Sequence, residues 1–134
     1  MISAAATRTE ISSKNIDTIL VLENDAPTRA WLASYLRSCG YRVFEARNSS
    51  EALTILQESP QPIRIVLSEA ENGFKLAGWV KANRPKIKVI LAATVERAAQ
   101  ACADLCDAGP HGKRPYDPQS LVQQIKASLA KHGD

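Results

Sequence analysis

A doubly wound α/β sandwich, a parallel sheet with helices on both faces, is the fold class the sequence predicts. Three observations predict it. β-favouring runs alternate with helical stretches five times over about 115 residues. The runs are short and nearly unbroken in their apolar character, as strands buried on both faces of a parallel sheet must be. The joining segments are short and carry capping or breaking residues at the right places.

Each element follows in order. Residues 1–15 are small, polar and aperiodic and read as a flexible leader, with the domain proper over 16–132. Thr18 to Leu22 forms a first strand that stops at Glu23-Asn24-Asp25. Asp25-Ala26-Pro27 opens a helix, with Asp25 as its cap, proline in its first turn, an apolar stripe of Leu32, Leu36 and Cys39, and Gly40 at its end. Tyr41 to Ala46 alternates as a second strand. Ser49 or Ser50 caps a helix bearing Ala52, Leu53 and Leu56, which Pro60 and Pro62 stop. Ile63 to Leu67 is a third buried strand, and Gly73 to Asn83 a helix with Phe74, Ala77 and Val80 on one face. Ile87 to Ala92 is a fourth strand, and Val95 to Asp107 an alanine-rich helix. A weak fifth strand is expected near Pro110 to Arg114; it is polar and carries breakers. Asp117-Pro118 starts the last helix, whose Leu121, Val122, Ile125 and Leu129 recur at helical spacing.

Composition narrows the function. The chain has 134 residues, 45% hydrophobic and 23% charged, which suits one folded domain and excludes a disordered one. No apolar run approaches the ~20 residues that cross a bilayer, so no membrane role is expected. The amino terminus has no signal-peptide pattern, and the three cysteines have no framework spacing, so a reduced, cytoplasmic setting is expected. The net charge of +3 is small. Lys81, Arg84, Lys86 and Lys88 cluster without interleaved aromatics and read as a solvated face, so nucleic acid is not an expected partner. Cys102, Cys106 and His111 are near in sequence, but helix-face cysteines usually pack as small hydrophobes. Trp31 and Trp79 read as packing residues with partly exposed edges.

In open α/β sheets chemistry gathers beyond the carboxyl ends of the strands. The residues there are Glu23–Asp25, Glu69–Gly73, Ala93–Thr94 and Lys113–Pro115. Four stretches, Ile19-Leu20-Val21-Leu22-Glu23-Asn24-Asp25, Gly40-Tyr41-Arg42-Val43 with Glu51-Ala52-Leu53, Val66-Leu67-Ser68-Glu69, and Arg114-Pro115-Tyr116-Asp117-Pro118, make residues 17–131 resemble the receiver domain of two-component response regulators. The resemblance implies a flavodoxin-like (β/α)5 fold with strand order 2-1-3-4-5. It also implies a phosphoryl group passed from a histidine kinase to an aspartate ending the third strand, with Mg²⁺ held by that aspartate and an acidic pair. A Ser/Thr after strand four and a Lys before a proline then sense the phosphate.

This sequence departs from that pattern at nearly every position. The acidic pair falls on Glu23 and Asn24, with Asp25 following, and the phosphoacceptor position is Glu69. The switch position is Ala93, with Thr94 one residue late, and the lysine position is Arg114 before Pro115. The segment after Glu69 is several residues short. Glutamate carries its carboxylate about 1.5 Å further than aspartate, a misplacement on the scale that costs an oriented reaction on the order of a hundredfold. Its charge is expected either to pair with Arg114 or to stand solvated. Glu23, Glu69 and a group near Glu71 would form only a weak Mg²⁺ shell, so no cofactor is expected. The expected function is therefore a pseudo-receiver, not an enzyme. It would recognise a histidine kinase or other signalling protein through the face of helix four, strand five and helix five. The alternative is a working Mg²⁺-dependent phosphoacceptor. A flavodoxin-type cofactor site is disfavoured because Glu-Asn-Asp-Ala-Pro would repel a phosphate.

Overall fold

The computed structural model describes residues 17–132; the leader expected at residues 1–15 lies outside the described residues. The elements are β1 (Thr18–Leu22), α1 (Ala26–Ser38), β2 (Arg42–Ala46), α2 (Ser49–Glu58), β3 (Ile65–Glu69), α3 (Ala70–Asn83), β4 (Lys88–Ala92), α4 (Val95–Asp107) and α5 (Pro118–His132). All strand pairs are parallel, in the order β2-β1-β3-β4.

β1 is central, and its five residues are all buried. The side-chain period of two sends Ile19 and Val21 into one core with Leu32, Leu36, Leu67, Leu121 and Ile125. Leu20 and Leu22 enter the opposite core with Ala52, Leu56, Leu76 and Val80. The doubly wound expectation therefore holds, with α1, α4 and α5 over one face and α2 and α3 over the other.

The fifth strand expected near Pro110 to Arg114 is not formed among the described residues. Pro110 has no N–H for a ladder, and Gly112 takes a left-handed turn (φ 62°). The segment folds instead beneath the end of α1, where the His111 N–H donates to the Cys39 carbonyl (3.4 Å). In place of the missing strand, a disulfide joins Cys39 at the end of α1 to Cys106 in the last turn of α4. Three free thiols were expected, because 67 residues separate the bonded pair and no local spacing links them. The Tyr41 hydroxyl adds a second tie, donating to the Leu105 carbonyl (2.5 Å). Cys102 remains a buried free thiol, and burial raises its pKa.

Smaller corrections concern α2, α3 and β3. Asn48, not Ser49 or Ser50, caps α2, its side chain accepting from the Glu51 N–H (2.8 Å). β3 starts two residues later than expected, at Ile65, which lies in register with Ile19. α3 starts at Ala70 rather than Gly73, and Phe74 is 71% exposed rather than on the packed face. The reason is Gly73: a Cβ there would stand 2.6 Å from the Ser68 Oγ and collide with Leu91. This close approach seats the helix along Gly73, Leu76 and Val80 and turns Phe74 outward. Among the described residues no helix is long and apolar enough to cross a membrane.

Candidate functional site

The carboxyl ends of β1, β3 and β4 enclose a cleft of about 130 Å³. Glu23 follows β1, Glu69 ends β3, and Ala93 and Thr94 follow β4, so the topology gathers the acidic, acceptor and switch positions in one place.

Glu23 is the strained acid of the group. Burial pushes its carboxyl above the ordinary carboxylate range, and repulsion from Glu69 and Asp25 adds to the effect. The Asp25 N–H, donating to its Oε2 at 2.9 Å, and the Arg29 cation pull the other way. Asp25 turns to α1, as the sequence indicated: its Oδ2 accepts from the Thr28 N–H (2.9 Å) and hydroxyl (2.6 Å). Asn24 is exposed and takes no part in that cap.

Glu69 neither pairs with Arg114 nor stands idle in solvent. Its φ of −64° and ψ of 156° place it at the N-cap of α3. Its Oε1 accepts from the Asn72 N–H at 2.6 Å and its Oε2 from the Glu71 N–H at 3.2 Å. Two of the helix's orphan donors are thus met by one carboxylate, in a place where the helix dipole also favours negative charge. This geometry follows from the short segment after β3, since α3 begins at the very next residue.

The other positions are likewise employed locally. Thr94 caps α4, its hydroxyl oxygen accepting from the Arg97 N–H (3.1 Å), while Ala93 offers no hydroxyl. Arg114 grips Asp107 through two bonds of 3.0 and 2.8 Å, with Asp104 at 3.8 Å, and holds the Asp107 carboxyl below its usual range. Pro115 is exposed, and Tyr116 meets Tyr35 edge to face at 5.1 Å between ring centroids, its carbonyl accepting the Tyr35 hydroxyl at 2.6 Å. Glu71 is exposed on the first turn of α3. Among the described residues no three His, Cys, Asp or Glu side chains are grouped to hold a metal, whether Glu23, Glu69 and Glu71 or Cys102, Cys106 and His111.

Three contributors had no sequence prediction. Arg29 donates to the Glu23 carbonyl (2.8 Å) and faces Glu45 across 3.5 Å, tying the acidic turn to β2. Thr28 completes the Asp25 cap, and its three-residue spacing from an acid before a helix is a readable capping signal. Buried Ser68 donates to the Glu69 carbonyl (2.7 Å) beneath Gly73, a contact with no local signature in the sequence.

A parallel sheet in the order 2-1-3-4, with helices on both faces and an acidic cleft at its carboxyl ends, has the receiver-like fold. No protein-family model matches the chain. It is 27% identical over 122 residues to the phosphate regulon transcriptional regulatory protein PhoB of Pseudomonas aeruginosa, covering 87% of this chain and 53% of that protein. The chain spans about half the length of the curated relatives it matches first. A response regulator receiver domain from Clostridium thermocellum shares the fold with a TM-score of 0.55 at 20% identity, over 88% of this chain and 98% of that one. A structure of the histidine kinase ThkA in complex with the response regulator TrrA aligns at a TM-score of 0.50 and 26% identity, over 57% of this chain and 67% of that one.

Proposed function

We propose that this domain is a pseudo-receiver: a recognition module of two-component signalling that performs little or no phosphotransfer and is not an enzyme. The observation that carries the reading is the Glu69 carboxylate, whose two oxygens accept the Asn72 and Glu71 N–H groups. A nucleophile must reach the phosphorus with its charge offset by a cation. Here the carboxylate points back into its own helix, and the cation nearest in role, Arg114, is bound to Asp107.

The partner in this reading is a histidine kinase or another signalling protein, met by the outer surface of α4 and α5. The exposed Lys126–Glu96 pair (2.5 Å) bridges the two helices at that surface. The kinase bound to a response regulator in a similar structure supports this choice of partner. The setting proposed is cytoplasmic and rests on the signalling role alone, since the Cys39–Cys106 disulfide removes the support from reduced thiols.

The test is incubation of the protein with acetyl phosphate and Mg²⁺, followed by intact-mass measurement. No phosphoryl adduct is expected. A stoichiometric adduct mapped to Glu69, Glu23 or Asp25 would establish the alternative, a Mg²⁺-dependent phosphoacceptor.

A further inference from the structure

The two edges of the sheet are finished differently. At one edge, β2 begins with Arg42 and carries Glu45, which is engaged by Arg29 at 3.5 Å and Arg37 at 3.0 Å. Charged side chains fixed on an edge strand are a standard guard against pairing with another chain. At the other edge, β4 pairs only with β3 among the described residues. Its middle is Val89-Ile90-Leu91, half-buried, with no proline or charge, and only Lys88 at its start is exposed and charged. An unfilled edge of this kind presents backbone donors and acceptors together with apolar side chains, which is what strand addition uses.

We propose that β4 is an interface for a second copy of this chain, the two β4 strands pairing antiparallel about a two-fold axis to make one continuous eight-stranded sheet. The symmetry follows from identical edges meeting, since an isologous contact places the same patch on both sides. Centred on Ile90, the register sets Val89 against Leu91 of the other copy and Lys88 against Ala92, so no like charges face each other.

The surrounding charges favour the same direction. The amino end of β4 is basic, with Arg84, Lys86 and Lys88, while at its carboxyl end Glu69 lies level with Ala92 on β3 and Glu71 is exposed just beyond; Glu96, further on, is already held by Lys126. An antiparallel pair lays the basic end of each copy beside the acidic end of the other; a parallel pair would set like beside like.

Two measurements test this. Sedimentation equilibrium over a concentration series is expected to show a monomer–dimer equilibrium. Hydrogen exchange over the same series is expected to show protection of the Val89–Leu91 amides rising with the dimer fraction. Lys88 is exposed and packs in neither core, so Lys88→Glu leaves the fold intact and is expected to weaken dimerisation by about tenfold. A protein that stays monomeric at millimolar concentration overturns the proposal. So does a dimer whose β4 amides exchange as in the monomer, or one indifferent to Lys88→Glu.

Discussion

The first third of the domain and its two later junctions treat the same architectural pattern differently. From β1 through β2, residues 18–46, chain and receiver pattern agree except at Asn24: a buried strand, a turn that keeps Glu23, a helix capped by Asp25 and a strand in register with the first. At the junction after β3, and between α4 and α5, the chain is abridged. There the positions that carry chemistry in the pattern have become caps and clasps: Glu69 on α3, Thr94 on α4, Arg114 on Asp107. Core packing is satisfied by any apolar set of the right volume and period, and so it persists. A reaction centre needs several side chains free at once, and a shortened loop removes that freedom by starting the next helix too soon.

The largest predicted effect lies at the abridged carboxyl-terminal junction. If the Cys39–Cys106 bond replaces the fifth strand as the tie between α1 and α4, Cys39→Ala with Cys106→Ala loses about 4 kcal/mol by loop-closure entropy for the 67-residue separation. Urea unfolding of the oxidised protein and the double variant measures it. Equal midpoints would mean that the Tyr41–Leu105 contact and the core hold this region alone.

Next is the packing that sets α3. Gly73→Ala forces a methyl group against Ser68 and Leu91 and is expected to cost about 1–3 kcal/mol, read from thermal or denaturant unfolding. A silent Gly73→Ala would show that the helix has room to move away from β3. The β3–α3 junction would then be less constrained than its contacts indicate.

A smaller effect, of opposite sign, lies in the region that follows the pattern. Because the folded state raises the Glu23 pKa above its ordinary 4.5, the folded protein binds that proton more tightly than the unfolded chain. Stability therefore falls as pH rises through the raised value, and the contribution is fully present only below the ordinary one. Glu23→Gln keeps an acceptor for the Asp25 N–H and removes the buried charge. It is expected to raise the melting temperature at pH 7, with the gain shrinking as pH drops below 4.5. A loss of stability at pH 7 would show that the Glu23 charge is compensated, as a bound cation would do.

The sequence was most legible where structure is local. Val95–Asp107 came out with its observed bounds, and the Asp25 cap and the Asp117 start of the last helix follow from short-range hydrogen bonding. The continuous run of β1 sufficed to place a buried parallel strand at the centre. What was hidden depends on distant partners. The disulfide links residues 67 apart, and the outward turn of Phe74 depends on how closely Gly73 meets another strand. The fifth strand was over-read from the weak, polar stretch Pro110 to Arg114, which Pro110 and Gly112 break. At the candidate site, Glu23, Glu69, Ala93 and Thr94 line one cleft, whereas Asn24, Asp25, Glu71, Arg114 and Pro115 do not line it. The partners of Glu69, Thr94 and Arg114 were not foreseen, because nothing in a one-dimensional pattern says which of several nearby donors a carboxylate will take.

The most direct measurement is amide hydrogen exchange at Asn72 and Glu71 in the natural protein, in Glu69→Ala and in Glu69→Asp. If the Glu69 carboxylate serves as the helix cap, the alanine variant loses protection at these two amides first and about 1 kcal/mol of stability, while the aspartate variant, itself a good cap, retains much of both. Unchanged exchange at Asn72 in Glu69→Ala would contradict the account: the carboxylate would then be free to face the cleft, as a phosphoacceptor's must be.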